Sequence, residues 1–82
     1  MSKLPTQLKW AKFKCVLKAY GYDQLPGGKG SARNFYKQQG DPDLVTFHEP
    51  HGNDTLRKGT LSEYLRKLKT DKDAFLHHLA NC

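Results

Sequence analysis

The stretch "ARNFYKQQGDPDLVTF", Ala32 to Phe47, carries the strongest indication of the fold. It contains two runs of strand-forming residues, Ala32–Lys37 and Leu44–Phe47, separated by the turn sequence Gly40-Asp41-Pro42. A similar run, Tyr22–Leu25, comes shortly before them. Because connections this short favour antiparallel pairing, the region predicts a three-stranded antiparallel sheet.

The alternation of side chains indicates which face of this sheet is buried. In the second predicted strand, Phe35 lies on the face opposite to that of Asn34 and Tyr36. Val45 and Phe47 share one face of the third strand and are expected in the core. We expect the aromatic residues at these spacings to be core residues and not base-stacking platforms.

Helical periodicity flanks the predicted sheet on both sides. Apolar residues recur at helical spacing before it, over about 8–20, until Gly21 ends the helix, and again after it. These two stripes are Phe13, Val16, Leu17 and Tyr20, and then Leu61, Tyr64, Leu65 and Leu68. Thr60 and Glu63 have the capping-box spacing at the start of the second helix. A last helix follows Thr70, so the order is α-β-β-β-α plus a C-terminal α, with the helices packed on one sheet face.

Length and charge limit the function. The chain has 82 residues, 14 Lys and Arg against 8 Asp and Glu, and a net charge of +6, so its expected partner is an anion, with nucleic acid first. We expect one domain over residues 1–82, with a core over about 8–69 and a helical extension over 70–82. No apolar run reaches the roughly 20 residues of a membrane span, and the N-terminus lacks the apolar centre of a signal peptide, so a cytoplasmic location is expected.

The two cysteines, Cys15 and Cys82, are far apart in the sequence. They have no metal-ligand spacing and predict no disulfide, which agrees with a reducing cytosol. Cys15 is expected to be an exposed bystander, with no base placed to activate it.

Two segments have residues suited to chemistry at a phosphate. In "KGSARNF", small residues lie between Lys29 and Arg33, where a phosphate can approach the backbone. In "FHEPH", His48 and His51 follow the third strand, and Pro50 keeps the chain extended. Cleavage of a phosphodiester by a 2′-hydroxyl needs a proton acceptor, a proton donor and cations, which these residue types supply without a metal or another cofactor. The alternative is a turn whose histidines are merely polar; a zinc site is disfavoured because only two ligands are present.

Four motifs in order, "AYGY", "KGSARNF", "VTFHEPH" and "LRKGTLSEYLRKL", resemble the HicA (YcfA-like) toxins of bacterial toxin-antitoxin systems. The resemblance runs from about Trp10 to Leu68. It implies a fold like the double-stranded RNA-binding domain, and an mRNA interferase that arrests translation and is neutralised by a HicB-like antitoxin. In the family pattern the Gly-Ser pair is followed by the histidine regarded as catalytic, whereas this chain has Ala32.

Three explanations of Ala32 are open: an engineered replacement of histidine, a natural branch that works through His51 and His48, or an inactive relative. The predicted catalytic positions are therefore Ala32, His51 and His48. The predicted RNA-binding residues are Lys29, Gly30, Ser31, Arg33, Lys14, Lys18 and Lys37. The other functions considered are a non-catalytic RNA-binding module of the same fold and a protein-binding role for the basic face.

Overall fold

The structure, a computed structural model, describes residues 3–40, 42–50, 52 and 54–82. Within these residues the elements are, in order, β1 (Gln7–Lys9), α1 (Trp10–Ala19), β2 (Asp23–Gln24), β3 (Ala32–Tyr36), β4 (Leu44–His48), β5 (Thr55–Arg57), α2 (Lys58–Lys67) and α3 (Lys72–Leu79). Strands β2, β3 and β4 form an antiparallel sheet in that order, which confirms the predicted α+β fold with a three-stranded antiparallel sheet and helices. No helix of the described part of the chain is long and apolar enough to cross a membrane.

One face of the sheet carries the core. Phe35, Val45 and Phe47 are buried there, as their alternation predicts. The Phe13 ring of α1 meets Phe47 edge to face with 5.1 Å between centroids, and the Tyr64 ring of α2 lies 4.5 Å from the same residue. Both helices therefore cover the same sheet face, and the opposite face is left uncovered by them.

Helix α1 ends as the sequence predicts. Gly21 has φ of +97°, and the Tyr22 and Gly21 amides donate to the carbonyls of Leu17 and Lys18 at 3.0 and 2.9 Å. This is a Schellman ending, in which the left-handed residue is most often glycine. The chain then enters β2 two residues after Gly21.

The start of α2 differs from the prediction. β5 pairs antiparallel with β1, with Leu8 opposite Leu56, and the helix begins at Lys58 immediately after β5. The Lys58 amide donates to Thr6 O at 3.1 Å, and no side chain caps the helix. Thr60 therefore lies inside the first turn, and the expected capping box is wrong, because pairing with β1 already sets where the strand becomes a helix.

Helix α3 packs against α1 and is tied to it covalently. Phe75 is fully buried, with its ring centroid 6.1 Å from that of Phe13. The structure joins Cys15 to Cys82 in a disulfide, with 6.1 Å between their Cα atoms. The expectation of unpaired cysteines is wrong, because α3 folds back along α1 and brings the end of the chain beside Cys15. The Lys12 ammonium also donates to the Cys82 carbonyl.

Candidate functional site

The two segments singled out in the sequence meet at one end of the sheet. Ala32 and His48 are directly opposite each other in the β3–β4 register. The Ser31 hydroxyl lies 3.2 Å from Nδ1 of His48, and the Glu49 amide donates to Ser31 O at 2.8 Å. Two of the predicted catalytic positions, Ala32 and His48, are therefore adjacent.

Arg33 fixes the loop that enters β3. Its guanidinium donates to the carbonyls of Gly30 and Ala32 at 2.8 and 2.9 Å, and its Nε lies 3.3 Å from a Glu49 carboxylate oxygen. A Cβ built on Gly28, whose φ is +115°, would lie 2.4 Å from Ala32 O. The loop therefore follows a path that requires glycine, and Arg33 has partners within the chain.

Tyr64 contacts the backbone of His48 through its hydroxyl. The His48 amide donates to the Tyr64 hydroxyl at 3.1 Å, and this hydroxyl is 3.3 Å from His48 O. Lys67 of the same helix donates to Thr46 O at 3.1 Å. Sequence periodicity indicates only that Tyr64 is a core residue, and its buried ring is indeed in the core. Its contact with the backbone of β4 has no signal in the sequence.

A cleft of about 600 Å³ opens beside these residues. It lies between the end of β4, β5 and the first turn of α2. Its lining residues are Ser31, His48, Glu49, Pro50, Thr55, Leu56, Arg57, Thr60 and Tyr64. Arg57 and Thr60 are additions to the residues predicted from the sequence, and they bring a cation and a hydroxyl to a space that also contains an imidazole.

The remaining predicted residues lie in several places. Lys29 is exposed in the loop before β3, whereas Lys14 and Lys18 line a separate hollow of about 320 Å³ beside β2. Lys37 follows the far end of β3, with its Nζ 4.6 Å from the Tyr22 ring centroid. The structure thus brings together Ser31 and His48 but not all the predicted cations. His51 lies outside the described residues, and its proposed role stays a prediction.

Comparison with known proteins decides the family. Residues 10–69 match the profile of a family described as the HicA toxin of bacterial toxin-antitoxin. This chain belongs to the HicA toxin family. HicA toxins are generally RNases, and the family implies a partner of the antitoxin kind. No curated protein and no solved structure matches the chain significantly.

The match separates this HicA chain into two parts. It contains the loop before β3, the His48 region and α2, and it ends just before α3. The disulfide therefore joins the matched part to Cys82, which follows α3 and lies beyond the match. Among the described residues no group of three or more His, Cys, Asp or Glu side chains could hold a metal ion.

Proposed function

We propose that this chain is an endoribonuclease that cleaves mRNA without a metal ion and is neutralised by a HicB-like antitoxin. The single observation that carries the proposal is the contact of Ser31 with His48 Nδ1, opposite Ala32, at the mouth of a cleft. It supplies a positioned imidazole directly opposite Ala32, the position where the family pattern has its histidine.

The contact supports a definite proton transfer. If Nδ1 carries the hydrogen and donates it to the Ser31 hydroxyl, Nε2 is left with its lone pair. Nε2 then accepts the proton of the RNA 2′-hydroxyl while the 2′-oxygen attacks phosphorus and the P–O5′ bond breaks. Water or another acid returns a proton to the 5′-oxygen. Ser31 is a positioning residue in this scheme, since it fixes the tautomer and orientation of the imidazole.

The walls of the cleft suit a charged phosphate. Arg57 lines the cleft, and the first turn of α2 has neither an acidic residue nor a side-chain cap. A helix N-terminus attracts anions through its free amides and its dipole. Lys29 adds charge from the adjoining loop, and such contacts dominate the affinity of proteins for nucleic acid.

Ala32 limits the rate that we expect. It can neither accept nor donate a proton, so one of the two groups of a general acid–base pair is absent from this position. A positioned acid or base contributes about 10² to 10⁴ in rate. We infer slow cleavage by this chain through His48, with His51 as the second proposed group. The same residue favours the second candidate function, an RNA-binding protein that does not cleave.

The two functions are separated by one set of variants. A fluorescently labelled single-stranded RNA is incubated with excess protein, and its cleavage rate is followed by gel. We expect His48→Ala to abolish cleavage and leave RNA affinity within a few-fold, and Ser31→Ala to lower the rate several-fold. His77→Ala on α3, an exposed position remote in sequence from the site, is the matched control.

The products and the partner provide further tests. Cleavage by a 2′-hydroxyl leaves a cyclic phosphate and a 5′-hydroxyl, and an RNA with one 2′-deoxy nucleotide at the cut position should resist. Unchanged cleavage by His48→Ala would overturn the assignment of His48. Binding without cleavage by the unaltered protein would leave the RNA-binding function. Co-expression with the adjacent reading frame tests the antitoxin, which should co-purify and block cleavage.

A further inference from the structure

The outer face of the sheet has side chains that the core does not use. Tyr36 and Leu44, which pair across β3 and β4, are 40% and 56% exposed, and Leu25 beside β2 is 37% exposed. The expectation that strand aromatics are core residues is therefore wrong for Tyr36. These are the exposed large hydrophobic residues of the described part of the chain.

This face is continuous with the candidate site. Three successive pairs on it are Ala32 with His48, Asn34 with Thr46, and Tyr36 with Leu44. Residues two apart in a strand are separated by about 7 Å, which is comparable to the spacing of neighbouring phosphates in an extended RNA strand. A nucleotide bound at His48 would thus have its neighbours over the next two pairs.

The chemistry of the next two pairs fits single-stranded RNA. Bases stack on exposed aromatic rings, and Tyr36 presents one on an open sheet face. The Thr46 hydroxyl donates to Asn34 Oδ1 at 2.5 Å, which directs the amide nitrogen of Asn34 away from Thr46. Among the described residues this nitrogen has no hydrogen-bond partner, so it can donate to the carbonyl of a base.

Two cations lie at the margins of this face and not on it. Lys29 lies near the His48 end, and Lys67 reaches Thr46 O from the β4 edge. Lys37 alternates to the opposite face, with its Nζ 4.6 Å from the Tyr22 ring centroid, and Asp23 is the acidic residue paired with Tyr36. An exposed aromatic ring beside a polar pair, with cations at the margin, is typical of surfaces that stack bases beside a phosphate backbone.

We propose that single-stranded RNA lies along the outer face of the sheet, with one base stacked on Tyr36 and the base nearer the cleft bonded by Asn34. The proposal rests on the proposed function, because it takes His48 as the cleavage point. It adds a substrate class, RNA that is unpaired for about three nucleotides on one side of the cut, and two residues that bind it.

The test measures affinity apart from cleavage. Fluorescence anisotropy follows binding of a labelled, fully 2′-O-methylated single strand, which lacks the attacking hydroxyl. Stacking on an aromatic side chain contributes about 1–3 kcal/mol per base, so Tyr36→Ala should weaken binding by about 5- to 140-fold. Tyr36→Phe should bind like the unaltered protein. His77→Ala on α3, which has no assigned role, is the control for the loss of an exposed side chain.

The outcomes distinguish this proposal from the proposed nuclease. If His48→Ala abolishes cleavage and Tyr36→Ala raises KM with kcat retained, both proposals hold. If His48→Ala has no effect on cleavage but Tyr36→Ala still weakens binding, the nuclease assignment fails and the RNA-binding face stands. Equal affinity of Tyr36→Ala and the unaltered protein would overturn the RNA-binding face. It would also be overturned if Tyr36→Ala lost only the antitoxin, which would show a protein-docking surface.

Discussion

Reduction of the Cys15–Cys82 disulfide should strongly lower stability. The bond closes a loop across a sequence separation of 67 residues, nearly the whole chain. In the chain-entropy treatment, closing a loop of this length stabilises the folded state by roughly 4 kcal/mol at 25 °C, because it restricts the unfolded chain. In a domain of this size 1 kcal/mol corresponds to about 4–8 °C, so Tm should fall by about 15–30 °C.

Reduction of the disulfide should lower Tm but leave the native structure nearly unchanged. Phe75 is fully buried against Phe13, so α3 has an apolar anchor in addition to the disulfide. We therefore expect the circular dichroism spectrum at 10 °C to be nearly the same for the oxidised and the reduced protein. A loss of helical circular dichroism signal that corresponds to α3 would instead mean that this helix detaches on reduction.

The assay is a thermal melt in the presence and absence of dithiothreitol. The double variant Cys15→Ser, Cys82→Ser is the control, and its melt should match that of the reduced protein and not respond to dithiothreitol. The reasoning is refuted if the oxidised and reduced proteins melt within the few degrees that correspond to about 0.5 kcal/mol. Rapid reaction of two cysteine thiols with a thiol reagent in the native, unreduced protein would show that the disulfide is absent and would refute it as well.

Three further variants test the site. Ala32→His should raise single-turnover RNA cleavage by about 10² to 10⁴, since it places a second imidazole opposite His48. Tyr64→Phe should lower the free energy of unfolding in urea by about 1–2 kcal/mol, because the hydroxyl that bonds the His48 backbone is lost. Gly28→Ala should lower it by about 1–3 kcal/mol, because of its positive φ and the approach to Ala32 O.

Each of these variants has an outcome that contradicts the structure. Cleavage by Ala32→His at the original rate would mean that the two positions do not face the same phosphate. Full stability of Tyr64→Phe would remove the hydroxyl from the support of β4. Gly27 is the comparison for Gly28: its φ is also positive, but a Cβ there meets nothing within 4 Å, so Gly27→Ala should cost less.

Local patterns predict most of the fold. Alternation in β3 and β4 correctly places Phe35, Val45 and Phe47 inside, and this also turns Ala32 and His48 to the outer face. The exact pairing of the latter two is not predictable, because it depends on the length of the turn between the strands, and a shift of one residue would exchange the faces.

The features that sequence patterns miss join distant parts of the chain. β1 and β5 have three residues each, which is too short to show the alternation of side chains that indicates a strand. They also pair across most of the sequence. The disulfide likewise depends on how α3 packs on α1. Within the site, Ser31 and His48 can be recognised in the sequence as residues suited to chemistry. Tyr64 and Arg57 can be assigned to the site only when the position of α2 is known.

The contacts of α2 with β4 also affect self-association. An unpaired edge strand is a template on which identical chains can stack into aggregates. Here the exposed edge of β4 is occupied at Thr46 by Lys67 and at His48 by Tyr64, and the opposite edge strand, β2, has two residues. Lys67 and Tyr64 therefore also block the edge of β4 against pairing with a strand of another chain. Removal of both the Lys67 ammonium and the Tyr64 hydroxyl should therefore lower the soluble fraction of the expressed protein.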